Sequence, residues 1–149
     1  MKKAVSLILA LVLCLGMCAC GGNSSNSNSK YVGTYSNSNR RTRMNYPDQT
    51  NYWRTEAFDG TCTLTLNSDG TGSQIFVAHT VPYVGSNITV YNCPITWEVV
   101  DDYLYISGSC TSPLNSQTYT INDRYILQGK TLADADDPDS KNLQFTKQN

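Results

Sequence analysis

Between Cys93 and Cys110 apolar and polar residues alternate through Ile95, Trp97 and Val99, turn at Asp101-Asp102, and alternate again through Leu104 and Ile106. Such a period of two marks a half-buried strand. With a two-residue loop the numbers of opposed residues sum to 203, so Val99 faces Leu104, Trp97 faces Ile106 and Ile95 faces Gly108. Every apolar pair then shares one face, and a slip by one residue would turn them all to solvent. The register of this antiparallel hairpin is therefore set by the sequence. Its loop is less well specified, because two Asp residues suit a primed turn less than Asn-Gly does.

The same vocabulary recurs along the chain. Cys62, Leu64 and Leu66 alternate with threonines, Asn67-Ser68-Asp69-Gly70 turns the chain, and residues 71–78 return. Gly70 can take the left-handed conformation that a three-residue hairpin loop requires. Thr118–Ile121, a turn at Asn122-Asp123 and Arg124–Leu127 read as another hairpin, and Leu143–Thr146 as a closing strand. Tyr31–Tyr35 opens the domain, and Gly85-Ser86-Asn87 reads as a turn before a strand at Ile88–Tyr91. Residues 36–60 read as a long loop with one irregular strand around Tyr52–Phe58. No segment after residue 30 sustains a helical period. The expectation is an all-β fold: an antiparallel meander of about eight strands closed into a small barrel.

The N-terminal end has a different character. Met1-Lys2-Lys3 is positive, Ala4 to Met17 is apolar apart from Ser6 and Gly16, and Cys18-Ala19-Cys20-Gly21-Gly22 follows. A charged start, an apolar stretch and a small residue before a cut are the parts of a secretory signal. An uncleaved membrane helix is the alternative, since the apolar run approaches the roughly 20 residues that span a bilayer. The small residues at its end and the lack of a basic cluster after it favour processing. Met17-Cys18-Ala19-Cys20 resembles the lipobox of bacterial lipoproteins, with Met17 where that motif usually has Leu. The resemblance implies cleavage before Cys20 and a lipid on its thiol. Cys18 fits less well, because Met17 would then occupy the cut. The chain is thus expected to divide into a signal helix at 1–19, a lipidated Cys20 with a disordered Gly/Ser/Asn tether to residue 29, and a domain at 30–149. Cleavage would leave 130 residues with 9 basic against 12 acidic side chains, a balance of −3. The nine residues GGNSSNSNS would span about 15–18 Å as a coil.

YVGTY at 31–35, LTLNSDGTG at 64–72, WEVVDDYLYISG at 97–108 and LQFTK at 143–147 look like the small lipocalin-like lipoproteins of bacteria. That resemblance implies a lipocalin-like barrel held at the outer face of the cell membrane by its N-terminal lipid. Its interior or mouth would bind a small, partly apolar ligand. The alternative is an envelope module that acts on another protein, as an inhibitor or spacer, without a ligand pocket. Bacterial lysozyme inhibitors are small lipid-anchored barrels of this kind, although Ser107-Gly108-Ser109-Cys110 lacks the rest of a motif. A cavity of several hundred Å³ lined by Leu64, Leu66, Trp97, Val99, Leu104 and Ile106 would favour the first reading. The same side chains filling the centre would favour the second.

Three cysteines besides Cys20 survive cleavage. The register that opposes Ile95 to Gly108 also opposes Cys93 to Cys110, at a non-hydrogen-bonded position where Cα atoms lie about 4.5 Å apart. That is the short end of the disulfide range, and an oxidising compartment would preserve the bond. Closing about 18 residues would stabilise the domain by roughly 3 kcal/mol. Pro94 lacks a ladder N–H and should loosen the pairing just there. Cys62 would be a free, buried thiol; a bond from Cys62 to either of the others stays open, since it too sits on an inward face.

Little else carries chemistry. A net charge of −1 argues against nucleic acid as a partner. His79 is the sole histidine, no base–nucleophile set accompanies it, and no enzyme is expected. Asp134-Ala135-Asp136-Asp137-Pro138-Asp139 suggests calcium, but an EF-hand loop needs Gly at its sixth position and Glu at its twelfth, where Asp139 and Phe145 stand. No metal or cofactor is expected. Arg40-Arg41-Thr42-Arg43 is the one basic cluster, an exposed loop or a contact for anionic polymer. Trp53, Trp97 and the tyrosines are candidates for lining a pocket. Trp97 belongs to the core by its period, while Tyr103 and Tyr105 project to the other face.

Overall fold

The computed structural model describes residues 28–47, 50 and 53–149. The expected signal segment, Cys20, Tyr52 and most of the tether lie outside them. Among the described residues eight antiparallel strands form one sheet: β1 (Gly33–Pro47), β2 (Trp53–Leu66), β3 (Thr71–Val81), β4 (Gly85–Val100), β5 (Tyr103–Thr111), β6 (Thr118–Gln128), β7 (Thr131–Asp134) and β8 (Phe145–Lys147). Each pairs with the next, and β8 pairs with β1, so the ladder closes into a ring. A short 3-10 turn, Lys141–Leu143, precedes β8.

The β4–β5 hairpin has the register its apolar pattern dictates: Val99 opposite Leu104, Trp97 opposite Ile106 and Ile95 opposite Gly108. Asp101 and Asp102 both take positive φ, 51° and 65°, the requirement of the type I′ turn that matches strand twist. At the β2–β3 turn Gly70 has φ 82° and donates its N–H to Asn67 O at 3.2 Å. Trp97 holds that turn against β4, its Nε1–H reaching Asn67 O and Thr71 O, both at 3.0 Å.

Three expectations are corrected. Asn122-Asp123 is no turn: both residues are extended within β6, opposite Ser107 and Ile106. The edge of β5 offers a full ladder, which outweighs the local turn preference of an Asn-Asp pair. Gly85-Ser86-Asn87 begins β4 rather than turning the chain; the turn falls earlier, where Tyr83 takes φ 64° after Pro82 and Val84 N–H bonds Val81 O at 3.2 Å. Of the expected loop over residues 36–60, the strand at its end is present as β2 from Trp53, but residues 36–47 are not a loop: they form β1 and pair with β2 in a long hairpin, from Arg40–Gly60 to Pro47–Trp53. Met44, Tyr46 and Phe58 are buried along it, and that apolar face keeps the hairpin folded down.

The ring is complete only over part of its height. The β4–β5 ladder stops at Ile95–Gly108, and β7 and β8 are short. Strand β1 therefore pairs with β8 only at Tyr35 and Ser36, and β6 with β7 only from Tyr125 onward. Beyond those points β1 and β6 face each other with no strand between. Side chains fasten this seam: Tyr119 Oη donates to Arg43 O at 3.2 Å, Gln117 Oε1 accepts from Asn45 N–H at 3.0 Å, and Asn115 Nδ2 donates to Asn45 O.

Candidate functional site

A cavity of about 100 Å³ lies beneath the seam. Arg40 and Thr42 come to it from β1, Gln74 from β3, Tyr91 from β4, and Tyr119, Ile121 and Asp123 from β6. Arg40 reaches it because of a bulge. Between Asn37 and Arg40 two residues of β1 stand against Thr61 alone, and the extra residue reverses the alternation so that Arg40 turns inward. Asn37 Oδ1 accepts the Asn39 N–H at 2.8 Å and holds the bulge.

The polar groups around the cavity are only partly matched. Gln74 is 1 % exposed; its Nε2 donates to Tyr91 Oη at 3.1 Å, and its Oε1 has no partner. A buried oxygen of this kind costs about 1–3 kcal/mol unless something donates to it. Asp123 Oδ2 accepts from Tyr125 Oη at 3.0 Å and lies 3.8 Å from the Arg40 guanidinium, too far for a hydrogen bond. Burial works against the Arg40 charge, but Tyr125 and Asp123 beside it outweigh that and raise its pKa. Burial also raises the Tyr91, Tyr119 and Tyr125 phenols, so they are neutral donors at ordinary pH. The Tyr91 and Tyr119 rings, 4.8 Å apart, form an apolar wall.

The disulfide borders this site. Cys93 and Cys110 are bonded across a Cα–Cα distance of 5.0 Å, where β4 and β5 part after Pro94, and they stand opposite Gln74 and Tyr119 respectively. Cys62 is free and buried, 3.9 Å from Tyr91 Oη.

The side chains proposed to line a large cavity do not surround this one. Leu64, Leu66, Leu104 and Ile106 are almost fully buried and pack with Trp97 into the core. On the outer face a broad hollow of about 430 Å³ runs over β4, β5 and β6, flanked by Thr96, Glu98, Tyr105, Ser107 and Asn122. Tyr103 is also exposed, with the Arg124 guanidinium 5.0 Å from its ring centre. Trp53 is 61 % exposed and lines neither of these two hollows. His79 lies on the surface beside Thr61 Oγ1, at 3.2 Å. Asp134 Oδ1 accepts the N–H groups of Asp136 and Asp137, a turn within the acidic run. The basic cluster is divided, Arg40 turning inward while Arg41 pairs with Asp59 at 2.9 Å.

Sequence reasoning missed Arg40, Gln74 and Asp123. Gln74 had a signal: it falls on the same alternating face as Phe76 and Ala78, a polar residue at a core position. No protein-family model, curated protein or solved structure matches the chain.

Proposed function

We propose that this chain is a lipid-anchored extracytoplasmic lipoprotein whose lipocalin-like barrel binds a small, partly apolar ligand at the cavity beneath the β1–β6 seam. The observation that carries the binding reading is the unpartnered Oε1 of Gln74 in a cavity edged by Arg40 and Asp123 and walled by tyrosine rings. A buried acceptor without a donor is a destabilising feature that a bound molecule would relieve. Anchorage rests on Met17–Cys20 and the apolar run before it; a diacylglycerol on Cys20 supplies the two chains that stable attachment requires.

Native mass spectrometry of protein purified from its source tests the binding reading. A co-purifying small molecule that is lost from Gln74→Leu is the expected result; an unliganded mass in both sinks it. Membrane fractionation of Cys20→Ser tests the anchor, which is abandoned if the variant stays with the membrane and the parent carries no acyl group.

A second reading, the protein-interaction module, draws on the filled centre and the exposed Tyr103 and Tyr105 beside the outer hollow. Crosslinking in intact cells separates it. Loss of a specific protein adduct on replacing both tyrosines with Ala would favour it over the ligand reading.

A further inference from the structure

Unmatched groups around the cavity fall into two sets of opposite character. Gln74 Oε1 is a buried acceptor with no donor, and among the described residues the second oxygen of Asp123 carries no hydrogen bond. Arg40 brings five N–H donors, and its nearest carboxylate oxygen, on Asp123, is 3.8 Å away. The cavity thus brings together two acceptors short of donors and, 3.8 Å from one of them, a guanidinium without an acceptor at hydrogen-bonding distance.

We infer that the cavity takes a small zwitterion of the amino-acid class, its carboxylate on the Arg40 guanidinium and its ammonium between Gln74 Oε1 and Asp123. This deepens the ligand-binding reading above and rests on it. An anion alone would leave Gln74 Oε1 and Asp123 unmatched, and a cation alone would leave Arg40 so. A zwitterion satisfies both, and as a neutral whole it adds no net charge beside the Arg40–Asp123 pair. A planar carboxylate fits the guanidinium fork in bidentate fashion. The cavity is small, about 100 Å³, which favours the least bulky amino acids, glycine and alanine. A long side chain finds no room unless it leaves through the seam.

The full-length chain is titrated with glycine, L-alanine and D-alanine while NMR follows the Gln74 side-chain amide and the Arg40 Nε–H. Acetate and methylammonium serve as half-probes. Saturable shifts at both groups with an amino acid are expected, with each half-probe binding about tenfold more weakly or worse. Asp123→Asn should weaken alanine binding about tenfold without weakening acetate, because it removes a carboxylate 3.8 Å from Arg40; general loosening of the fold would weaken both. Acetate binding as tightly as alanine overturns the proposal in favour of a simple anion site. Silence at Gln74 and Arg40 well above millimolar ligand overturns it in favour of a cavity holding water only. A co-purifying molecule of another class would sink this inference and leave the binding function standing; an empty native protein that also ignores alanine would sink both.

Discussion

At the residue scale, burial accounts for what the cysteine and glycine positions can tolerate. Burial pushes the Cys62 thiol up to about 11, with Arg40 and Tyr91 pulling the other way. Since thiolate is the reactive form, Cys62 should resist alkylation in the native protein at pH 8 and be labelled after denaturation, as read by the mass of the peptide that contains it. Equal labelling rates in both states would contradict its place in the core. The linkage has a definite sign. An unfolded thiol ionises near pH 8.5, so this contribution to stability is whole below that pH and is lost as pH rises through about 11, observable as a falling urea midpoint. Gly108 is constrained by approach: a Cβ there would stand 2.4 Å from Pro94 O and 2.9 Å from Ile95 Cγ2. Gly108→Ala should cost about 1–3 kcal/mol in urea denaturation. An unchanged midpoint would mean that the two strands have room to part.

At the scale of elements, the β4–β5 hairpin illustrates what a sequence can disclose. Its register followed from burying Ile95, Trp97, Val99, Leu104 and Ile106 on one face, and the structure has that register. Its loop is where stability remains to be gained. Two Asp residues hold positive φ, a conformation that Asn and Gly adopt at lower cost. Replacing Asp101 with Asn and Asp102 with Gly should stabilise the protein by about 0.5–1 kcal/mol, measured by urea titration; the exposed Lys30–Asp102 ion pair that is lost, at 3.5 Å, contributes little. A lower midpoint would mean that one of the Asp side chains matters more than its backbone. The unread elements share a physical cause. The β1–β2 hairpin buries Met44, Tyr46 and Phe58 but runs through polar residues from Ser36 to Arg43, so local pattern could not distinguish it from a loop. Asn122-Asp123 has turn chemistry, and only pairing with β5 overrides it. The inward aim of Arg40 depends on a one-residue bulge, which no period of two can encode. The cavity was hidden for that reason, whereas extending the hairpin register put Cys93 beside Cys110, one of the pairings that the sequence left open and the one the structure has.

At the scale of the whole molecule, the parts joined by contacts other than ladder bonds decide how the fold responds to change. The Cys93–Cys110 bond closes the strands where Pro94 ends their pairing. Replacing both cysteines with Ser should lower stability by roughly 3 kcal/mol and should shift the NMR signals of Gln74 and Tyr119, which stand opposite them. A loss below about 1 kcal/mol with those signals unmoved would show that the ring needs no staple. Tyr31 governs the opposite end. Its Oη donates to Asp102 O at 3.1 Å and its carbonyl accepts the Tyr35 Oη at 2.7 Å, so the entering chain is tucked under the β4–β5 turn. Any pull from a mooring ahead of Lys30 is therefore taken up at the turn-capped base, where the wall is continuous. The side-chain seam stands clear of that load, so the proposed anchorage would leave the way into the cavity undisturbed.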